Sequence, residues 1–232
     1  MSDITDKIYF NFPISLLSGF LVNKKRVLDN IFNYAIYAHT LKLEYNPETA
    51  KAKAALSYFG VTTGDIHNTM RNGEQLFDSI PDDNPKVGIN KGMFFDYYKT
   101  HKSEFELVQL LAFLAIRSIL KNKSYTCITN AFMLGRMDGS ACSVKDYTEL
   151  SPEIFKYANE YQTKKIKRAL SDGWKLITYS KYMHGFYISF TLPLDELVLI
   201  AEKDRKKNKD FKAKKEVDEA RKKALAIIYG QE

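Results

Sequence analysis

Four cations crowd into five positions at Lys164, Lys165, Lys167 and Arg168, grouped around the apolar Ile166. On a helix with Ile166 inward, Ala169 and Leu170 fall beside it. Lys164, Arg168 and Ser171 then lie opposite, flanked by Lys165 and Lys167. Ammonium and guanidinium groups on one ridge donate hydrogen bonds and carry positive charge, so the chemistry this pattern offers is capture of a polyanion. Gln162 and Thr163 stand at the amino end of the same helix, where backbone N–H groups are free to meet bases and phosphates. Lys175, Lys181 and His184 follow it and extend the cationic surface.

The residue types that make and break bonds are dispersed by comparison. His39, His67, His101 and His184 stand singly, and Cys127 and Cys142 belong to no Cys-x-x-Cys pair. Gly60-Val61-Thr62-Thr63-Gly64 has the spacing of a nucleophile elbow but no buried strand before it. Asp82-Asp83 is followed by no acid-x-Lys element at short range. There is neither a phosphate-binding loop lysine motif nor a dinucleotide glycine fingerprint. We therefore expect a protein that is not an enzyme, with no cofactor and no metal.

The elements that must position the cationic ridge are legible around it. Ser151-Pro152-Glu153 starts a helix: a capping hydroxyl, a proline at the first helical position and an acid near the positive end of the dipole. That helix should run to about Asn159. A second should begin at Thr163, bury Ile166, Ala169 and Leu170, and close at Asp172-Gly173, with the glycine left-handed. Trp174 to Ser180 reads as a strand and Phe186 to Leu192 as its return partner, with Lys181 to Gly185 as the hairpin tip.

Helix, short turn, helix, glycine and hairpin in this order resemble the winged-helix variety of helix-turn-helix DNA-binding domain. The framework positions of that family are matched by Ala158, Ile166, Leu170 and Gly173, while Tyr161 and Trp174 are bulkier than is common there. The resemblance covers about 45 residues. It implies recognition through the outer face of the second helix, at Thr163, Lys164, Lys165, Lys167 and Arg168. Lys175, Lys181 and His184 would act from the wing. Double-stranded DNA is the partner implied, with a role as transcriptional regulator or replication initiator. The competing expectation is a protein-interaction module that uses the same scaffold without touching DNA.

Charge supports a polyanion partner. The chain has 232 residues and a net charge of +7. Residues 1–100 carry eleven basic and eleven acidic side chains, and residues 101–232 carry 24 basic and 17 acidic, so the excess lies wholly in the second part. With 45% apolar and 27% charged residues, a folded, mainly α protein with a carboxy-terminal winged helix-turn-helix is expected. Two cysteines, no secretory signal and no membrane-length apolar run suggest a cytoplasmic protein with no membrane partner.

The loop Ile80-Pro81-Asp82-Asp83-Asn84-Pro85-Lys86-Val87-Gly88 marks a boundary near residue 85. It separates an amino-terminal helical domain (1–85), a winged-helix domain (86–195) and a charged terminal helix (196–232). In the first, helices are expected over Asn23 to Leu43, Thr49 to Tyr58 and Thr63 to Ile80. Gly60 would end the second and Thr63 cap the third, a weaker helix-turn-helix echo whose exposed face is nearly neutral. Two such motifs in a chain of this size resemble the tandem winged-helix plasmid replication initiators. Ser103 to Lys121 should form a helix with a wide apolar face, and Leu114 to Gly139 reads as a core helix and its polar loop with the short apolar segment Asn130 to Met137, or alternatively as a further phosphate contact through Lys121, Lys123 or Arg136. The tail should be a surface helix whose last turns dock on the body. Its stripe Val217, Ala220, Ala224 and Ile228 would alternatively seat a homodimer.

Overall fold

The structure is a computed structural model that describes residues 8–44, 48–61, 65–180 and 185–228. The chain is mainly helical, with two small antiparallel sheets.

Strand β1 (Tyr9–Pro13) buries Phe10 and Phe12 on one face and pairs with β2 (Lys86–Asn90), Tyr9 opposite Asn90 and Pro13 opposite Lys86. The proline-rich loop before β2 thus delivers it to the start of the chain. The strand after residue 85 therefore belongs to the same sheet as the first, and the apolar core runs without a break into the second part of the molecule. Between the strands lie α1 (Lys24–Thr40), α2 (Glu48–Tyr58) and α3 (Ile66–Ser79). Asn23 caps α1 by accepting from the Arg26 N–H at 3.0 Å. Gly60 closes α2 with φ of +70°, as its position suggests. The cap of α3 is Asp65, which accepts from the Asn68 N–H at 3.1 Å; Thr63 lies outside the described residues. Gly73 lets α3 approach α1 closely, since a Cβ there would lie 2.6 Å from Tyr37 Cβ. Helix α4 (Lys91–Lys99) follows β2 and adds Phe94 to a ring cluster with Phe10 and Phe59, centroids 4.2 and 4.5 Å from Phe10.

Helix α5 (Glu104–Leu120) is the central element. Ser103 and Glu106 form a capping box at its start, and Val108, Leu110, Leu111, Leu114 and Ile116 are buried along it. The three residues of β3 (Thr126–Ile128) lead to α6 (Asn130–Met137), capped by Thr129. A loop and the four-residue α7 (Pro152–Phe155) precede α8 (Glu160–Trp174). Strands β4 (Ile177–Tyr179) and β5 (Phe186–Ser189) come next, and the sheet order is β3-β5-β4, antiparallel throughout.

One face of this sheet sends Ile128, Phe186 and Ile188 into the main core. The other carries Tyr187, covered by Leu197 and Ala201 of α9 (Leu194–Ile228). Tyr179 donates to Glu202 at 2.9 Å and fixes the same crossing. It is thus the first turns of α9 that dock, whereas from Arg205 to Leu225 every residue is exposed, Val217, Ala220 and Ala224 of the expected docking stripe among them. The physical reason is composition, because Leu197, Val198 and Ile200 are apolar while residues 202–223 carry eleven cations and six acids.

Candidate nucleic-acid interface

Helix α8 begins three residues earlier than its sequence signals suggest. Asn159 is the cap, its side chain accepting from the Gln162 N–H at 2.9 Å. The expected helix over 151–159 is shortened to α7, and the Ser151 hydroxyl bonds Asp138 Oδ1 at 2.6 Å instead of capping. Inwardly, Ile166 and Leu170 are wholly buried, and the Trp174 ring lies 4.3 Å from that of Phe113 on α5. Trp174 is therefore the last helical residue and not the start of a strand. At the carboxy end it is Lys175, not Gly173, that turns left-handed (φ 57°, ψ 30°), and its N–H and that of Leu176 both donate to the Leu170 carbonyl.

This seating divides the cationic residues. Lys164, Lys165, Arg168 and Lys175 are exposed, with the Arg168 side chain 87% accessible. Lys164 pairs with Glu160 at 2.6 Å, and Arg168 lies 3.9 Å from Asp172. Such solvated pairs contribute about 0–1 kcal/mol each, so both cations can exchange their carboxylate for a phosphate at small cost. The Lys165 ammonium sits 4.4 Å from the centre of the Phe105 ring, which holds its stem across the helix while the charge stays wet.

Of the residues expected on this surface, Thr163 is buried and Lys167 is half-buried. Thr163 is 2% exposed and its hydroxyl donates to the carbonyls of Asn159 and Glu160, so it locks the first turn and offers nothing to a base. Lys167 turns toward the body: Nζ donates to Asn130 Oδ1 at 3.3 Å and lies 4.2 Å over the Phe186 ring. Burial lowers its pKa, with the charge of Lys164 adding to the effect. Each is about 100° from its neighbour on the helix, and the covered side of α8 takes in 163, 166, 167 and 170. Gln162 is half-buried at the edge.

Tyr161, read from the sequence as a bulky turn residue, is 72% exposed and stands seven positions before Arg168 on the same side of α8. Its signal is that spacing, two turns along one face.

The hairpin beside α8 is narrow at its base, where the Ser180 hydroxyl donates to the Gly185 carbonyl at 3.2 Å. Gly185 permits β3 to close on β5, because a Cβ would stand 2.6 Å from the Ile128 carbonyl oxygen. Lys181 and His184 lie outside the described residues.

Other candidates resolve differently. Arg136, considered for a phosphate contact, is 5% exposed on α6 and stacks over Phe132 at 5.1 Å, and burial lowers its pKa. The outer side of α3 shows Arg71 among Asp65, Glu74 and Asp78, an acidic balance that repels a polyanion. Cys127 and Cys142 are free and exposed as residues, and partial desolvation of the Cys127 thiol together with Asp204 pushes it up. Among the described residues no group of three or more His, Cys, Asp or Glu could hold a metal ion, and no helix is long and apolar enough to cross a membrane.

No protein-family model matches the chain, and neither a curated protein nor a solved structure matches it.

Proposed function

We propose that the chain binds double-stranded DNA through a winged-helix-like carboxy-terminal unit, acting as a transcriptional regulator or replication initiator. The observation that carries this reading is the exposed ridge of Lys164, Lys165, Arg168 and Lys175 on a helix whose opposite side is anchored on α5. The antiparallel pair β4 and β5 directly after α8 supports it, since a helix followed by a hairpin is the order on which the resemblance rests. In this reading α7 (Pro152–Phe155) is what remains of the helix expected over 151–159 before the recognition helix.

The mechanism is electrostatic docking followed by edge contacts. A helix about 10 Å wide enters the major groove, and each cation that neutralises a phosphate releases a counterion. Arg168, exposed and bound only to a distant carboxylate, is the group best placed to meet a guanine edge, while Lys164, Lys165 and Lys175 meet the backbone. Thr163 and Lys167 take no part.

The test is a fluorescence-anisotropy titration of a random-sequence duplex between 50 and 200 mM salt. Affinity should fall steeply with salt. Lys165→Ala with Arg168→Ala should reduce the slope by about 1.8, so that the change in affinity between 50 and 200 mM salt becomes roughly tenfold smaller. Affinity indifferent to ionic strength, or unaffected by the double substitution, rejects the reading.

A further inference from the structure

The neutral first part of the chain contributes to a second cationic feature that no single stretch of sequence displays. Lys42 stands just past the end of α1, Lys86 opens β2, and Arg117 and Lys121 close α5. The fold brings all four to the wall of one open cleft of about 460 Å³, whose lining contains no carboxylate. None of the four makes an ion pair among the described residues. Clustering like charges without acids costs stability through mutual repulsion, and a cleft of one sign focuses the field and concentrates counter-ions.

Two local details shape the cleft. Lys121 has φ of +51° and ψ of −116°, a conformation in which glycine would be free of strain, yet a cationic side chain is held there. Gly88 forms part of the lining, and the Asn11 amide lies close to it, with Oδ1 2.5 Å from where a Cβ on Gly88 would stand. The Arg117 guanidinium is steadied over the Phe190 ring at 5.9 Å, at the end of β5.

We infer that this cleft is a separate phosphate-contact station that grips the backbone of the same duplex. Its cations come from three parts of the fold around an open trough instead of converging inside an enclosed chamber, which suits a polymer running through it better than a small anion. The inference rests on the reading that the chain holds duplex DNA, but it assigns a surface distinct from α8, so DNA would bridge both parts of the molecule.

The experiment compares salt dependences of the full chain on a 30-base-pair duplex. The variant pairs are Lys86→Ala with Lys121→Gly, and Lys164→Ala with Arg168→Ala. The cleft pair should lower the slope by about 1.8, roughly a tenfold smaller change in affinity between 50 and 200 mM salt. Its melting temperature at low salt should stay level or rise, because strain and repulsion are both relieved. A cleft pair with unchanged slope while the α8 pair loses its own overturns the inference and leaves the α8 reading standing. Loss in the cleft pair with an unaffected α8 pair supports the cleft and removes α8. Inorganic pyrophosphate, titrated by calorimetry, is the further probe: binding that the cleft pair abolishes while its duplex slope is unchanged overturns the assignment to a nucleic-acid backbone. A melting temperature lowered in the cleft pair would make the cations structural and also overturn it.

Discussion

Replacing Tyr157 with Phe tests how α8 is held at its entrance. The Tyr157 hydroxyl donates to Glu104 Oε1 at 2.6 Å, and Lys156 pairs with the same carboxylate. The turn before α8 is thereby tied to the first turn of α5. Tyr157 is 8% exposed, whereas the Glu104 side chain is 53% accessible. A hydrogen bond to a charged group contributes about 1.5–3 kcal/mol, and solvent at Glu104 places this one near the lower bound, about 1.5 kcal/mol. For a chain of this length that corresponds to a loss of about 3–6 °C in melting temperature.

The pH dependence provides the sharper check. Hydrogen bonds from Lys156 and Tyr157 hold the Glu104 carboxyl below its ordinary value of 4.5, and the Tyr157 phenol is pushed above 10 by burial and by Glu104. A carboxylate with a depressed folded value stabilises the protein above pH 4.5, and that contribution disappears as pH falls through the folded value. The gap between wild type and Tyr157→Phe, measured by calorimetry or circular dichroism, should therefore be full at pH 7 and shrink below pH 4.5. Equal melting temperatures at pH 7, or a gap undiminished at pH 3, would refute the reasoning.

Three further outcomes are expected. Gly73→Ala should cost about 1–3 kcal/mol in chemical denaturation, because the new methyl meets Tyr37 Cβ and the Asn33 carbonyl where α3 crosses α1. Gly173→Ala should stabilise by about 0.5–1 kcal/mol in the same assay, since Gly173 is helical and its Cβ would meet nothing within 4 Å. Lys167→Met should leave the salt slope for duplex DNA unchanged, while Lys164→Met should lower it by about 0.9, separating the covered side of α8 from the open one.

The helices are legible because their signals are local. Ile166 and Leu170 recur one turn apart, Ser103 and Glu106 sit at capping-box spacing, and Gly60 follows an alanine-rich run; each acts within four residues along the chain. The hairpin was legible for the same reason, from two apolar runs around a short polar tip. Strand β3 was not, since three residues of mixed burial carry no period and gain strand geometry only by pairing with β5 some sixty positions later.

For the candidate site, sequence alone determined that a helix would carry Lys164, Lys165, Lys167 and Arg168 around Ile166, because helical geometry is set by the backbone. Only the tertiary structure decided which of them meets water. Phe186 and Asn130 come from other elements and cover Lys167, while Asp65, Glu74 and Asp78 leave α3 with an acidic face. The trough of Lys42, Lys86, Arg117 and Lys121 exists only where the start of β2 and the ends of α1 and α5 meet. Like charges separated by dozens of residues have no spacing to read, and packing the apolar core is what forces them together.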